Sequence, residues 1–161
     1  MSAEMSDWTI EPLEDRSDIE SIIALDGESF SMPWPREMFL RAFDDPTDLR
    51  IALSRGANRH SCAGFVCYLL TEGRVEIGSI AVVPEARRRG LGSALIAYTL
   101  DEAKTFGATI VSLHVRISNK TARRFYERCG FTQSRVRHDY YQEPHEDALI
   151  YALRLGQPHD K

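Results

Sequence analysis

The chain has 161 residues, 43% of them apolar, and a formal net charge of −4. That length and composition predict one globular domain with a proper core, spanning 1–161 with its ordered part about 8–155. The acidic balance argues against a general nucleic-acid binder, and no apolar run approaches the length of a membrane span.

The charge is unevenly spread. Residues 1–50 carry 13 acids and 4 bases, a balance of −9, whereas residues 87–128 carry 9 bases and 3 acids, a balance of +6. The acidic half reads either as a solvated helical face or as an attraction for a basic protein tail. Cys62, Cys67 and Cys129 are odd in number and form no C-x-x-C pair, which suits reduced thiols in a cytoplasmic protein. Glu4 and Asp7, with no apolar stretch beside them, predict no secretory leader. The five histidines show no metal-ligand spacing, so no metal is expected. Nothing in the sequence indicates an oligomeric state.

Taken in chain order, residues 8–13 (WTIEPL) read as a short strand. Ser17 and Glu20 have capping-box spacing, and Ile19, Ile22, Ile23 and Phe30 give a helical stripe behind them. A loop with Phe30, Met32, Pro33 and Trp34 follows; it is unusually apolar, and reads either as a plug against a sheet or as one wall of a substrate groove. Pro35 suits the first position of a helix over Pro35–Phe43. Residues 50–54 and 62–70 read as strands joined by a loop containing Gly56 and Asn58, and Glu72-Gly73 as a tight turn into a strand over Arg74–Val83. This first half therefore reads as antiparallel hairpins.

From Glu76 the pattern changes to strand, glycine turn, helix, strand and helix, which requires a crossover and a parallel pair. The crossover helix, about Leu91–Phe106, has its stripe at Leu91, Leu95, Thr99, Ala103 and Phe106, and Gly107 stops it. The strand over Thr109–Val115 alternates, with Thr109, Val111, Leu113 and Val115 on one face and Ile110, Ser112 and His114 on the other. Ser118 or Asn119 caps the next helix, whose buried face reads as Ala122, Phe125 and Cys129; Gly130 ends it. Residues 132–141 and 147–155 then form an antiparallel pair.

The turn between the Glu76 strand and the crossover helix reads Arg87-Arg88-Arg89-Gly90-Leu91-Gly92. The first N–H groups of a helix have no intrahelical partner, and its dipole adds roughly half a positive charge there. Such an end binds phosphate; glycines let a ligand approach the backbone, and arginines suit a polyanion. No Gly-Lys-Ser/Thr follows, which excludes a P-loop, and Leu95 stands where a dinucleotide fingerprint needs a small residue. On these residues alone a solvated basic turn remains open.

Arg87-x-x-Gly90-x-Gly92 after a strand resembles the pyrophosphate motif of the GNAT acetyltransferases, and SNKTARRFYERCGF, with Asn119, Tyr126, Gly130 and Phe131, resembles that family's next motif. Both stand in the right order and separation. The resemblance implies an α/β (α+β) GNAT fold: a mixed, mostly antiparallel sheet whose central parallel pair splays around acetyl-CoA, with helices on both faces. It implies acetyl-CoA as cosubstrate, held by Ile80, Ala81, Val82, Arg87, Arg88, Arg89, Gly90, Leu91, Gly92, Ser93, Asn119 and Tyr126, with a backbone N–H of Ile80–Val82 polarising the thioester carbonyl. Tyr126 corresponds to the family tyrosine that protonates the leaving thiolate.

Two residues compete as base. Glu76 stands 14 positions before Gly90, the spacing of the glutamate base in histone-type members. His114, by itself an ordinary hydrogen-bonded strand histidine, lies in LHVRISN, which resembles the NatE-type segment whose histidine holds a catalytic water; RimI-type members carry glutamate there. An α-amine has a pKa near 8 and lysine about 10.4, so a histidine relay suits an α-amine better. The Tyr140-Tyr141 pair resembles the RimI- and NatE-type pair lining a peptide groove, and the Phe30, Met32, Pro33, Trp34 segment resembles the RimI-type FPW segment. The resemblance thus implies transfer to a protein N-terminus, in a RimI-type role the N-terminal alanine of a small-subunit ribosomal protein. A lysine or small-amine acetyltransferase, a non-catalytic acyl-CoA-binding regulator and a nucleotide-binding module are the alternatives.

Overall fold

The computed structural model describes residues 8–56 and 62–156; Glu4, Asp7 and the loop residue Asn58 lie outside them. The described elements run β1 (Ile10–Pro12), a 3₁₀ turn (Arg16–Asp18), α1 (Ile19–Ser29), α2 (Arg36–Asp44), β2 (Leu49–Arg55), β3 (Cys62–Thr71), β4 (Arg74–Val82), a second 3₁₀ turn (Pro84–Ala86), α3 (Leu91–Phe106), β5 (Ile110–Arg116), α4 (Lys120–Arg128), β6 (Thr132–Gln142) and β7 (His145–Arg154). The strands hydrogen-bond in the order β1-β2-β3-β4-β5-β7-β6. β4 and β5 pair in parallel through Arg74–Ile77 and Ile110–Leu113; β1 with β2, β5 with β7 and β6 with β7 are antiparallel. This is the expected mixed sheet with its parallel pair in the middle.

Two compact units divide the chain: Met1–Tyr68 with Ser79–Thr99, and Leu69–Gly78 with Leu100–Lys161. In the first, β3 is buried along nearly its whole length, as a strand covered on both faces must be. Phe39 packs edge-on against Phe65, with ring centroids 6.1 Å apart. Leu91 and Leu95 of α3 are fully buried. A Cβ on Gly64 would stand 3.0 Å from both the Ala81 carbonyl oxygen and a Leu91 methyl; the helix lies that close to β3 because the residue there has no side chain. Arg55 ties β1 to the first turn by bonding Glu11 and the buried Asp18.

In the second unit, β5 alternates as expected: Val111, Leu113 and Val115 are buried, and Ile110, Ser112 and His114 are half-buried. Gly73 and Gly107 adopt φ of 73° and 86° and stand where the turn and the helix stop were expected. Tyr151 of β7 is fully buried, and its hydroxyl donates to Glu127 of α4 at 2.8 Å. Cys62, Cys67 and Cys129 form no disulfide.

Four local expectations are corrected. Ser17 and Glu20 form no capping box: Asp15 takes both the Ser17 N–H and its hydroxyl, and Glu20 bonds Arg36 instead. Pro35 is the residue before α2 rather than its first, with extended backbone. Phe30 and Phe106, at or just past the last turn of their helices, are exposed, and the buried stripe of α1 is Ile19, Ile22, Leu25 and Asp26. Ala122, Phe125 and Cys129 are only half-buried; Tyr126 is the buried residue of α4.

Candidate functional site

In the first unit, β4 ends at Val82, and its ladder continues one residue further, the Val83 N–H donating to the Ala63 carbonyl at 2.9 Å. Ile80 and Val82 are half-buried and Ala81 is buried. Arg87, Arg88, Arg89 and Gly90 are all exposed. Arg88 has φ 61° and Gly90 φ 84°, so the backbone twice visits the left-handed region within three residues. A side chain there costs roughly 1–2 kcal/mol, and such strain in a non-glycine residue concentrates at functional sites. A Cβ on Gly90 would meet nothing within 4 Å; the glycine serves its φ and leaves open space above the turn.

The first bond of α3 runs from the Ala94 N–H to the Gly90 carbonyl at 3.0 Å. The preceding N–H groups, those of Leu91, Gly92 and Ser93, therefore start the helix without an intrahelical acceptor. Leu91 is buried and anchors the turn, Gly92 is half-buried and Ser93 exposed. Arg87 donates from Nε to the Val82 carbonyl at 3.1 Å. The Arg89 guanidinium lies 5.2 Å from the centre of the Trp8 ring, whose Nε1 donates to the Arg89 carbonyl at 3.3 Å.

The apolar loop belongs to the same unit. Phe30 and Met32 are 39% and 49% exposed, so they do not plug a core. Pro33 is exposed, and Trp34 packs half-buried on Phe39 at 5.9 Å. Asp26, 1% exposed, fixes the loop: its carboxylate accepts the Trp34 N–H and the Ser79 hydroxyl, both at 2.8 Å. Sequence reasoning missed Asp26. Its signal was an acid on the stripe of Ile19 and Ile22, where a buried carboxylate needs dedicated donors.

The second unit holds a cluster of side chains. Glu76 of β4 pairs with Ser112 of β5. His114 is two residues further along the same face, within reach of a diagonal cross-strand contact. His114 Nδ1 stands 3.2 Å from Glu76 Oε1. That hydrogen bond holds the half-exposed Glu76 carboxyl below its ordinary value of 4.5. His114 Nε2 is buried and has no partner among the described residues. A buried polar atom left unpaired costs about 1–3 kcal/mol, so it points to a partner outside the described residues. The two residues that competed as base are thus one hydrogen-bonded pair.

Tyr140 lies flat on His114, ring centroids 4.6 Å apart and planes 8° apart. Tyr141 meets Tyr140 edge-on at 5.0 Å and carries the Arg116 guanidinium 4.1 Å from its ring centre. Burial pushes the Tyr141 phenol up to about 12. Asn119, rather than Ser118, caps α4 and accepts the Ala122 N–H at 3.1 Å. Ser118 instead bonds Glu146 through its hydroxyl at 2.9 Å. Tyr126 sits among Phe125 and Phe131, 9% exposed, and burial pushes its phenol well above the ordinary 10. Among the described residues no three His, Cys, Asp or Glu side chains gather as a metal site would, and no helix is long and apolar enough to cross a membrane.

Residues 19–131 match the model of the acetyltransferase (GNAT) family. The chain is 30% identical over 150 residues to the [ribosomal protein bS18]-alanine N-acetyltransferase of Escherichia coli strain K12, covering 92% of this chain and 98% of that one. The crystal structure of the ribosomal-protein-S18-alanine N-acetyltransferase from Escherichia coli has a TM-score of 0.81 at 27% identity, over 95% of this chain and 97% of that one. Arabidopsis thaliana NAA60 in complex with a bisubstrate analogue shares the fold, with a TM-score of 0.83 at 21% identity over 94% and 99% of the two chains.

Proposed function

Because this chain belongs to the GNAT acetyltransferase family, we propose that it transfers acetyl from acetyl-CoA to the N-terminal α-amine of a protein, the N-terminal alanine of a small-subunit ribosomal protein being the acceptor its relatives suggest. The observation that carries this reading is the Glu76–His114 pair with His114 Nε2 buried and without a partner among the described residues. If Nδ1–H is donated to the Glu76 carboxylate, Nε2 presents its lone pair. It then accepts the amine proton, directly or through one water. An α-amine, with its pKa near 8, needs no stronger base than that. Glu76 orients the imidazole; His114 is the base.

The remaining roles follow the reaction's balance. The neutral amine attacks the thioester carbonyl, the N–C bond forms and the C–S bond breaks. A backbone N–H of Ile80, Ala81 or Val82 stabilises the oxyanion. Tyr126, a phenol protonated at neutral pH, gives its proton to the departing thiolate, and the phenol is restored by the proton that the amine has lost. Arg87, Arg88, Arg89, Gly90, Leu91, Gly92 and Ser93 take the pyrophosphate on free N–H groups and guanidiniums, and Asn119 contributes from the cap of α4. Phe30, Met32, Pro33, Trp34, Tyr140 and Tyr141 contact the acceptor. The reaction uses no metal. We read residues 8–155 as one catalytic domain, since the matched segment 19–131 runs through both compact units, and its place as the cytoplasm, where free thiols persist.

Two peptides test the reaction by intact mass after incubation with acetyl-CoA. One has a free N-terminal alanine and a basic tail; the other is the same peptide with its N-terminus blocked and its lysines free. A single acetyl group on the first alone is expected. Acetylation of the blocked peptide moves the reaction to lysine. Neither changing, while acetyl-CoA raises the melting temperature, makes the protein a sensor or its acceptor another molecule.

A further inference from the structure

Tyr140 stacks on His114, and Tyr141 lies under Arg116. His114 and Arg116 are two residues apart on β5 and share one face of it. In an unbroken strand, neighbours such as Tyr140 and Tyr141 point to opposite faces. Both therefore reach one face of β5 only because β6 is irregular there. The register shows where. Arg137 pairs with Ala148 and Tyr141 with Glu146, so His138, Asp139 and Tyr140 lie opposite Asp147 alone. Two extra residues are looped out, and at their centre Asp139 adopts φ 52°, a left-handed conformation that aspartate tolerates better than most side chains and a β-branched residue hardly at all.

Two side chains bond the centre of this bulge: Gln142 Nε2 donates to the Asp139 carbonyl at 3.3 Å, and Asp147 takes the Asp139 N–H. The Asp147 carboxylate accepts the Asp139 N–H on Oδ1 at 2.9 Å and faces His138 Nδ1 with Oδ2 at 3.0 Å. Its carbonyl accepts the Ile117 N–H at 3.3 Å, just past β5. Asp147 thus joins the bulge of β6 to the strand that carries His114. Bulges next to active sites re-aim side chains in this way.

We infer that Asp147 is a positioning residue for the acceptor: its carboxylate keeps the two-residue bulge in β6 and so holds Tyr140 flat against His114. This rests on the proposed acceptor reading for its effect on turnover, but the geometry stands apart from it. Asp147→Ala removes both of its own side-chain bonds to the bulge. Asp139→Val leaves Asp147 intact and forbids the left-handed backbone. Asp147→Asn keeps an amide oxygen for the Asp139 N–H and a donor for His138.

Two readouts decide. In proton NMR the ring of Tyr140 shifts the His114 ring signals upfield, and these are assigned by their loss in His114→Gln. The shift is expected to vanish in Asp147→Ala and Asp139→Val and to persist in Asp147→Asn. In steady-state assays with the alanine-terminated peptide, the first two variants are expected to raise the peptide KM on the order of tenfold with the acetyl-CoA KM unchanged, while Asp147→Asn retains most activity. An upfield shift that survives both disruptive variants overturns the inference. So does an unchanged peptide KM, or a parallel rise in both KM values, which marks a general loss of structure. If the wild-type protein acetylates neither peptide, the acceptor reading fails by itself, and the NMR result still decides whether Asp147 places Tyr140.

Discussion

The Arg87–Ser93 turn and the His114 cluster are built by opposite means. The turn is made of backbone: two left-handed residues, the free N–H groups that begin α3, and exposed arginines around open space. The cluster is made of side chains contributed by three strands: Glu76 from β4, His114 and Arg116 from β5, Tyr140 and Tyr141 from β6. A backbone site holds a ligand through groups every residue possesses, so it depends on φ and on the absence of Cβ atoms. A side-chain site depends on identity and on strand register. Substitutions in the turn should therefore move acetyl-CoA binding, and substitutions in the cluster should move acceptor turnover.

The largest expected effect breaks that division from a third place. In the proposed reaction Tyr126→Phe removes the proton for the thiolate, and it should lower kcat roughly 10²–10⁴-fold with little change in acetyl-CoA binding by calorimetry. An unchanged kcat removes Tyr126 from the chemistry.

Glu76→Gln sharpens the cluster side. It exchanges one charged hydrogen bond for a neutral one, a loss of about 1 kcal/mol in the orientation of His114, and kcat/KM should fall about fivefold. It also has a pH signature. The Glu76 carboxyl is held below its ordinary 4.5 by the His114 hydrogen bond. The stability it contributes is therefore fully present above that value and is lost as pH falls through the depressed one. Urea denaturation should show wild type ahead of Glu76→Gln at neutral pH, with the gap closing below 4.5. A gap that stays open after the Glu76 carboxyl has been titrated, well below 4.5, contradicts the pairing.

The turn yields effects of that size or smaller. Gly90→Ala meets no atom but forces a side chain to φ 84°. It should cost about 1 kcal/mol and raise the acetyl-CoA KM about fivefold, with the peptide KM unmoved. Arg88→Gly is the smallest: relief at φ 61° and the extra freedom of a glycine in the unfolded chain nearly cancel, leaving stability within ~0.5 kcal/mol.

The same division explains what could be read in advance. α3 was legible to both its ends, because Leu91, Leu95, Thr99 and Ala103 repeat at helical spacing and Gly107 ends the run. The turn was legible because its chemistry is local: Arg87, Gly90 and Gly92 are adjacent in the chain. The faces of β5 were legible because alternation is a property of one strand. Ser17 misled because a competitor two residues upstream, Asp15, takes its N–H and hydroxyl. The Glu76–His114 bond was not legible, because it depends on the parallel register of β4 with β5. The bulge at Asp139 left no trace, because an aspartate at positive φ, held by Asp147 eight residues away, has neither a glycine nor a turn motif to announce it. Asp26 was hidden for a similar reason: its two donors come from Trp34 and Ser79.

One measurement tests the central claim most directly: steady-state kinetics of His114→Ala with the alanine-terminated peptide, beside calorimetric binding of acetyl-CoA. If His114 Nε2 takes the amine proton, kcat/KM for the peptide should fall roughly 10²–10⁴-fold while acetyl-CoA binds as tightly as to the wild type. Turnover unchanged by the substitution, or lost only together with acetyl-CoA binding, would contradict a Glu76–His114 base.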